Sequence, residues 1–304
     1  MAASVEAESR GHLVTIKQQQ FLLGSIFLGL PLLWLLVWVV LPIFIVFYLS
    51  FTTYDVLKPA EWIGFLNYED LLYDGLFWRA LGNTLYYTVW SVPSGIIASL
   101  MLAMLINTKL PGAGIYRTIF YIPVVAPLIA AALVWILFYD ASSGFFNYVL
   151  GQFGIRPVDW LNNSYTAMPA IILMSVWKGL GFNMVIFLAA LQAIPRELHE
   201  AAALDGAGRV RQFFAITLPL LTPATVYVVI TSLIASFQVF AQVIVMTNGG
   251  PNNSTVTIVH YIYRTAFQNL EFGYASAMAM VMFLLLVLAS FINLRLFSRK
   301  KLFD

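Results

Sequence analysis

Six apolar stretches, each at least about 20 residues long, dominate this sequence and decide what it can fold into. They run from Phe21 to Leu49, Asn83 to Ile106, Ile119 to Tyr139, Ala167 to Leu191, Ala224 to Met246 and Tyr274 to Leu296. A helix of about 20 apolar residues crosses the hydrocarbon core of a bilayer. In lipid, only a helix satisfies its own backbone hydrogen bonds within one segment, so the sequence predicts an all-α integral membrane protein with six transmembrane helices. Composition agrees, since 61% of residues are hydrophobic and 10% charged, where soluble domains carry roughly a quarter charged residues. The net charge of +2 gives a nucleic-acid partner no electrostatic support. Cysteine is absent, which excludes disulfides and thiolate metal sites. His12, His199 and His260 show no metal-ligand spacing, so no metal site is expected.

The chain divides into a polar tail (1–20), a first transmembrane helix (21–50), an outside loop (51–76), a core of five transmembrane helices (77–296) and a second tail (297–304). The first apolar run is too long for a signal-peptide h-region and no small-residue cleavage site follows it, so it is read as a retained span. Basic residues set the orientation. One set of segments holds Arg10, Lys17, Lys109, Arg117, Arg196, Arg209, Arg211, Arg295, Arg299, Lys300 and Lys301. The opposite loops hold only Lys58, Arg79, Arg156 and Arg264, and they collect eight carboxylates, among them Asp55, Glu61, Asp74 and Glu271. Positive charge stays inside, so both termini are expected to be cytoplasmic.

The longest polar interlude late in the chain is Ile194 to Pro223, IPRELHEAAALDGAGRVRQFFAITLPLLTP. Pro195 suits a helix start, and Glu197 and Glu200 complement the dipole of the early turns. Ala201 to Leu204 propagate a helix, and Gly206 and Gly208 end it. A second short helix is expected at about Arg209 to Thr217. On the charge pattern, this element faces the cytoplasm between two spans.

Glu200-Ala201-Ala202, Asp205-Gly206-Ala207 and Ile216-Thr217-Leu218-Pro219 closely resemble the EAA loop of binding-protein-dependent ABC importer permeases. Thr247-Asn248-Gly249-Gly250-Pro251 with Tyr261-Ile262-Tyr263, Phe65 with Asn67-Tyr68, Asn83-Thr84, and Phe272 to Ala277 resemble the carbohydrate and glycerol-phosphate permeases of that class, the maltose type among them. Nearly the whole chain after Phe21 is covered. The resemblance implies a type I ABC importer permease fold in the bacterial plasma (inner) membrane, with the loop as a coupling helix seated in a cleft of a separate ATPase. It implies as partners a second, similar permease, an ATPase dimer and an external solute-binding protein, besides membrane lipid. The cargo it implies is a sugar or a related polyol or glycerol phosphate. No G-x-x-x-x-G-K-[ST] run is present, so ATP hydrolysis is not expected of this chain; ATP and Mg belong to the partner, and no cofactor is expected here. Glu200, Ala201, Ala202, Asp205 and Gly206 are the expected docking core. The small residues admit a close partner, and the carboxylates offer charge-assisted hydrogen bonds at its rim. The alternative is a secondary transporter driven by an ion gradient, against which stand the loop and the scarcity of membrane carboxylates. No span carries a nucleophile–base pair, so a catalytic site is not expected.

Polar residues inside the spans are the candidate substrate pathway. Lys178 is the one clearly charged side chain deep in a span, and such a charge does not face lipid. Either it meets solute in a water-filled cavity or it pairs with carbonyls or a partner. Gly179 and Gly181 admit a ligand or a helix. Ser232 and Ser236, four apart, share a helical face, with Gln238 to the side; small polar residues of this kind also knit helices together. By their distance from the EAA-like loop, Gly179, Phe182, Ser232, Ala235 and Ser236 fall near the positions that line the family's substrate site, where Phe182 would stack on a sugar ring. Pro93, Pro123 and Pro127 are expected to sit in ordinary helix geometry.

Overall fold

The computed structural model describes residues 20–298 apart from 22, 26, 56–57 and 108–111. Both tails, with Arg10, Lys17, Arg299, Lys300 and Lys301, and the linker residue Lys109 lie outside the described residues. Helix α1 (Leu23–Leu49) is strongly apolar and packs mainly along α13, leaving most of its surface exposed. A short hairpin follows, β1 (Thr52–Thr53) paired antiparallel with β2 (Glu61–Trp62), then α2 (Leu66–Tyr73) and α3 (Gly75–Ile106). Asp74 caps α3 by accepting from the N–H groups of Leu76 and Phe77, so the second span begins two turns before Asn83. Pro93 lies inside α3 without ending it.

The third span departs from the expected single helix over Ile119–Tyr139. It consists of α4 (Ala113–Val125) and α5 (Leu128–Phe138), bent by 100°. Pro127 lacks an N–H to continue α4 and instead precedes the first turn of α5. The following loop folds into α6 (Phe145–Gln152), and α7 (Ala167–Gln192) returns across the membrane. At Gly181 of α7, a Cβ would collide with the Phe120 carbonyl, so this glycine lets α4 and α7 cross closely.

The polar interlude forms α8 (Arg196–Leu204) and α9 (Arg209–Leu220), the latter π-helical at Phe213–Thr217 and three residues longer than expected. α10 (Thr222–Phe237) then turns away from α9 by 66°. The fifth span was expected to be continuous over Ala224–Met246, but the helix ends at Phe237 and resumes as α11 (Ala241–Met246). Residues 238–240 between them are irregular backbone, which at membrane depth is tolerated where it is buried in protein or lines a cavity. After α12 (Ile258–Tyr263), α13 (Phe272–Ser298) is the last span. Among the described residues, four helices are long and apolar enough to cross a membrane, and up to six spans result when each bent pair counts as one.

Three buried clusters hold the helices together. Tyr87, Trp135, Ile171, Met174 and Val243 join α3, α5, α7 and α11. Ala103, Met184, Phe187, Leu188 and Val228 join α3, α7 and α10 toward the α8–α9 end. Leu71, Phe77, Ile258 and Met278 close the opposite end.

Candidate functional site

Three helices carry small or polar residues at every fourth position, which places them in stripes on one face. These are Tyr87, Ser91 and Gly95 on α3; Ser175, Gly179 and Asn183 on α7; and Ser232 and Ser236 on α10. The stripes converge on one cavity of about 560 Å³, within the range that holds small molecules. Leu128, from the start of α5, Gln238, Val239 and Phe240, from the break after α10, and Gln242, from the start of α11, add to its wall.

Hydrogen bonds fix these groups. Asn183 donates to Ser232 Oγ at 3.4 Å, and Ser236 donates to Thr88 Oγ1 at 3.0 Å. Gln242 reaches Tyr87 Oη and Ser175 Oγ, each at 3.4 Å. Lys178 is the only charged residue among the described lining, and its Nζ donates to the Val124 carbonyl at 3.0 Å. It therefore fits both roles left open by the sequence, facing the cavity while pairing with a carbonyl.

Of the six residues named for the pathway, five meet here: Lys178, Gly179, Ser232, Ala235 and Ser236. Phe182 does not. It is exposed and absent from the lining, although its seven-residue spacing from the cavity-facing Ser175 puts it on the same face of α7. Tyr87, Ser91, Ser175, Asn183 and Gln242 were missed, although the four-residue spacing of the first four was visible in the sequence, and Gln238, noted beside Ser232 and Ser236, also lines the cavity.

The second candidate region, α8 and α9, joins the ends of α7 and α10, two of the helices that wall the cavity. Along α7, Lys178 lies about 20 Å from the last helical turn, at ~1.5 Å rise per residue. Gly206 has φ +79, a left-handed conformation suited to glycine. The Ala207 N–H bonds the Ala202 carbonyl at 2.9 Å and the Gly206 N–H bonds that of Ala203 at 3.0 Å, the paired bonds of a Schellman stop. Gln212 braces the turn, donating to the Ala207 carbonyl at 2.9 Å and meeting His199 Nδ1 at 3.2 Å. The predicted docking residues Glu200, Ala201, Asp205 and Gly206 are exposed and Ala202 is half-buried. Leu204 and Val210 stand beside them, 90% and 73% exposed, with Phe214 on the following turn. Among the described residues no ion pair occupies Glu200 or Asp205.

No group of three or more metal-ligating side chains occurs among the described residues. Residues 63–302 match the family described as binding-protein-dependent transport system inner membrane component. The sulfoquinovosyl glycerol transport system permease of Agrobacterium fabrum is 38% identical over 264 residues, covering 86% of each chain. The sn-glycerol-3-phosphate transport system permease of Yersinia pestis is 36% identical over 245 residues, 79% of this chain and 82% of that one. A solved bacterial alginate ABC transporter, in complex with an alginate pentasaccharide-bound periplasmic protein, superposes with a TM-score of 0.81 at 25% identity, covering 93% of this chain and 96% of that one. The polar cavity, the bent spans and the exposed α8–α9 turn are thus those of a transport subunit, and the chain belongs to the family of binding-protein-dependent transport system inner membrane components.

Proposed function

We propose that this chain is the permease subunit of an ABC importer that moves a sugar, or a related polyol or glycerol phosphate, across the bacterial inner membrane. One observation carries this reading: a cavity walled by hydroxyls and amides lies between α7 and α10, and the exposed α8–α9 turn joins those same two helices. A force applied to the turn reaches both walls of the cavity through rigid helices. Relatives named for sulfoquinovosyl glycerol, sn-glycerol 3-phosphate and alginate support a hydroxylated cargo.

A separate ATPase dimer docks on Glu200, Ala201, Ala202, Asp205 and Gly206, and ATP and Mg are used there. A second permease completes the path, and an external solute-binding protein delivers the cargo. The α8–α9 turn and both termini face the cytoplasm, as the basic residues Arg196, Arg209 and Arg211 favour. The domain limits follow the same plan, with the first helix at 21–50 outside a core at 77–296.

Membrane vesicles carrying this chain, with and without ATP and a co-expressed ATPase subunit, test the proposal. ATP-dependent uptake is expected. Uptake driven by an ion gradient with this chain alone would overturn it; no carboxylate lines the cavity among the described residues to bind such an ion.

A further inference from the structure

The cavity carries a charge that recognition of hydroxyls does not require. Lys178 Nζ donates to the carbonyl of Val124, the penultimate residue of α4. The 100° bend that follows leaves the last carbonyls of α4 without helical partners, and Lys178 caps one of them. An ammonium has three donors, and this bond takes one. Among the described residues no carboxylate lines the cavity or stands within ion-pair distance of Lys178. A half-buried cation without a counter-charge is unfavourable in a low-dielectric wall, and an anionic solute group relieves it. The remaining polar lining, from Ser91 and Ser175 to Asn183 and Gln242, is neutral and suits hydroxyls.

We propose that the cavity selects a hydroxylated solute bearing a negative charge, such as a sugar acid or sugar phosphate. Lys178 is the specificity-determining residue, holding the Val124 carbonyl on one side and the anionic group on the other. This rests on the cavity being the translocation path and adds the charge of the cargo.

The natural absence of cysteine supplies the test. Ala235→Cys puts a single thiol on the cavity wall, at an exposed position. In the assembled importer in membranes, its reaction rates are measured with an anionic sulfonatoethyl and a cationic trimethylammonium-ethyl methanethiosulfonate. The ratio of the two rates cancels any effect of Lys178 on the thiolate itself. The anionic-to-cationic ratio is expected to fall about tenfold in Lys178→Gln and to be kept in Lys178→Arg. Glucuronate or glucose 6-phosphate is expected to slow labelling of the Lys178 chain at concentrations where glucose does not. An unchanged ratio in Lys178→Gln, or protection no better than that by glucose, overturns the charge assignment while leaving the path intact. No reaction with either reagent removes the path itself. The protection assay needs no change at Lys178, so it decides the question even where Lys178→Gln does not assemble.

Discussion

The two ends of this helix bundle are built on opposite principles. At the Asp74 end, a network of hydrogen bonds ties the chain to itself, although Ser254 Oγ, Thr265 Oγ1 and both His260 nitrogens are buried without a partner. Asp74 accepts from two backbone N–H groups and from the hydroxyls of Tyr261 and Tyr274, at 2.7 and 2.8 Å. Asn67 donates to the Ser50 and Thr52 carbonyls, and Asn83 to those of Asn253 and Val256. Thr84 Oγ1 accepts from Ile258 N at 2.9 Å. Even the turn glycine is enclosed: a Cβ at Gly249 would meet Val256 Cγ2 at 2.7 Å and His260 Cε1 at 2.8 Å. At the Gly206 end, by contrast, a Cβ on Gly206 would meet nothing within 4 Å, and Leu204 and Val210 stand in the open. The first end is cross-linked within the chain, while the second has the shape of half an interface. Exposed apolar side chains around small residues and unpaired carboxylates are what a docking partner covers.

This contrast breaks first, and by the largest amount, at Asp74. Asp74→Ala removes four accepted bonds and strands two tyrosine hydroxyls, an expected loss of about 2–4 kcal/mol in thermal or denaturant unfolding. The same carboxylate gives the end an acid limit. Partial burial pushes its pKa up, but the hydrogen bonds from Tyr261, Tyr274, Phe77 and Leu76 outweigh that and hold it below the usual 3.8. A lowered folded value means that its stabilising contribution is present above the ordinary carboxylate range and is lost as pH falls through the lowered value. Melting curves taken down to about pH 3 should therefore show an acid-side loss that Asp74→Asn lacks.

At the other end, the effect should appear in transport more than in stability. Gly206→Asp places a charged side chain at the left-handed turn where docking is proposed. ATP-driven uptake is expected to drop at least about thirtyfold, the effect of a hot-spot residue, with protein level kept and stability lowered only by about 1 kcal/mol for a non-glycine residue in the left-handed region. A melting loss as large as that of Asp74→Ala would instead make the turn part of the folded core. Smaller again, Leu204→Ser alters a side chain that is 90% exposed. Its stability should stay within about 0.5 kcal/mol, while affinity for the ATPase subunit, read by co-purification titration, should weaken about tenfold.

The sequence made the Gly206 end legible to the residue because its signals are local. A proline start, early glutamates, an alanine run and a left-handed glycine each act within one turn of helix, and α8 ends where Gly206 requires. Five of six pathway residues were also within reach, since charge and small polar groups do not face lipid. What escaped was set by tertiary packing. The break after Phe237 sits in an apolar run with no glycine or proline to mark it, and it brings Gln238 and Gln242 to the cavity. Pro127 did mark the other break, but proline is tolerated in membrane helices without one, as Pro93 shows in α3. Phe182 shares a face with Ser175 by its seven-residue spacing, but spacing along one helix does not show where walls supplied by other helices end. The motif residues Asn67, Asn83 and Thr84 were recognised as punctuation; the structure explains them as cross-chain hydrogen bonds that tie the Asp74 end together.

The central claim is that force entering at the Gly206 turn changes access to the cavity between α7 and α10. Its most direct measurement is the labelling rate of Ala235→Cys in the assembled importer, before and after ATP is added, in the parent chain and in Gly206→Asp. The rate is expected to shift several-fold on ATP addition in the parent and to stay constant in Gly206→Asp. An equal ATP-dependent shift in both would contradict the coupling of turn and cavity.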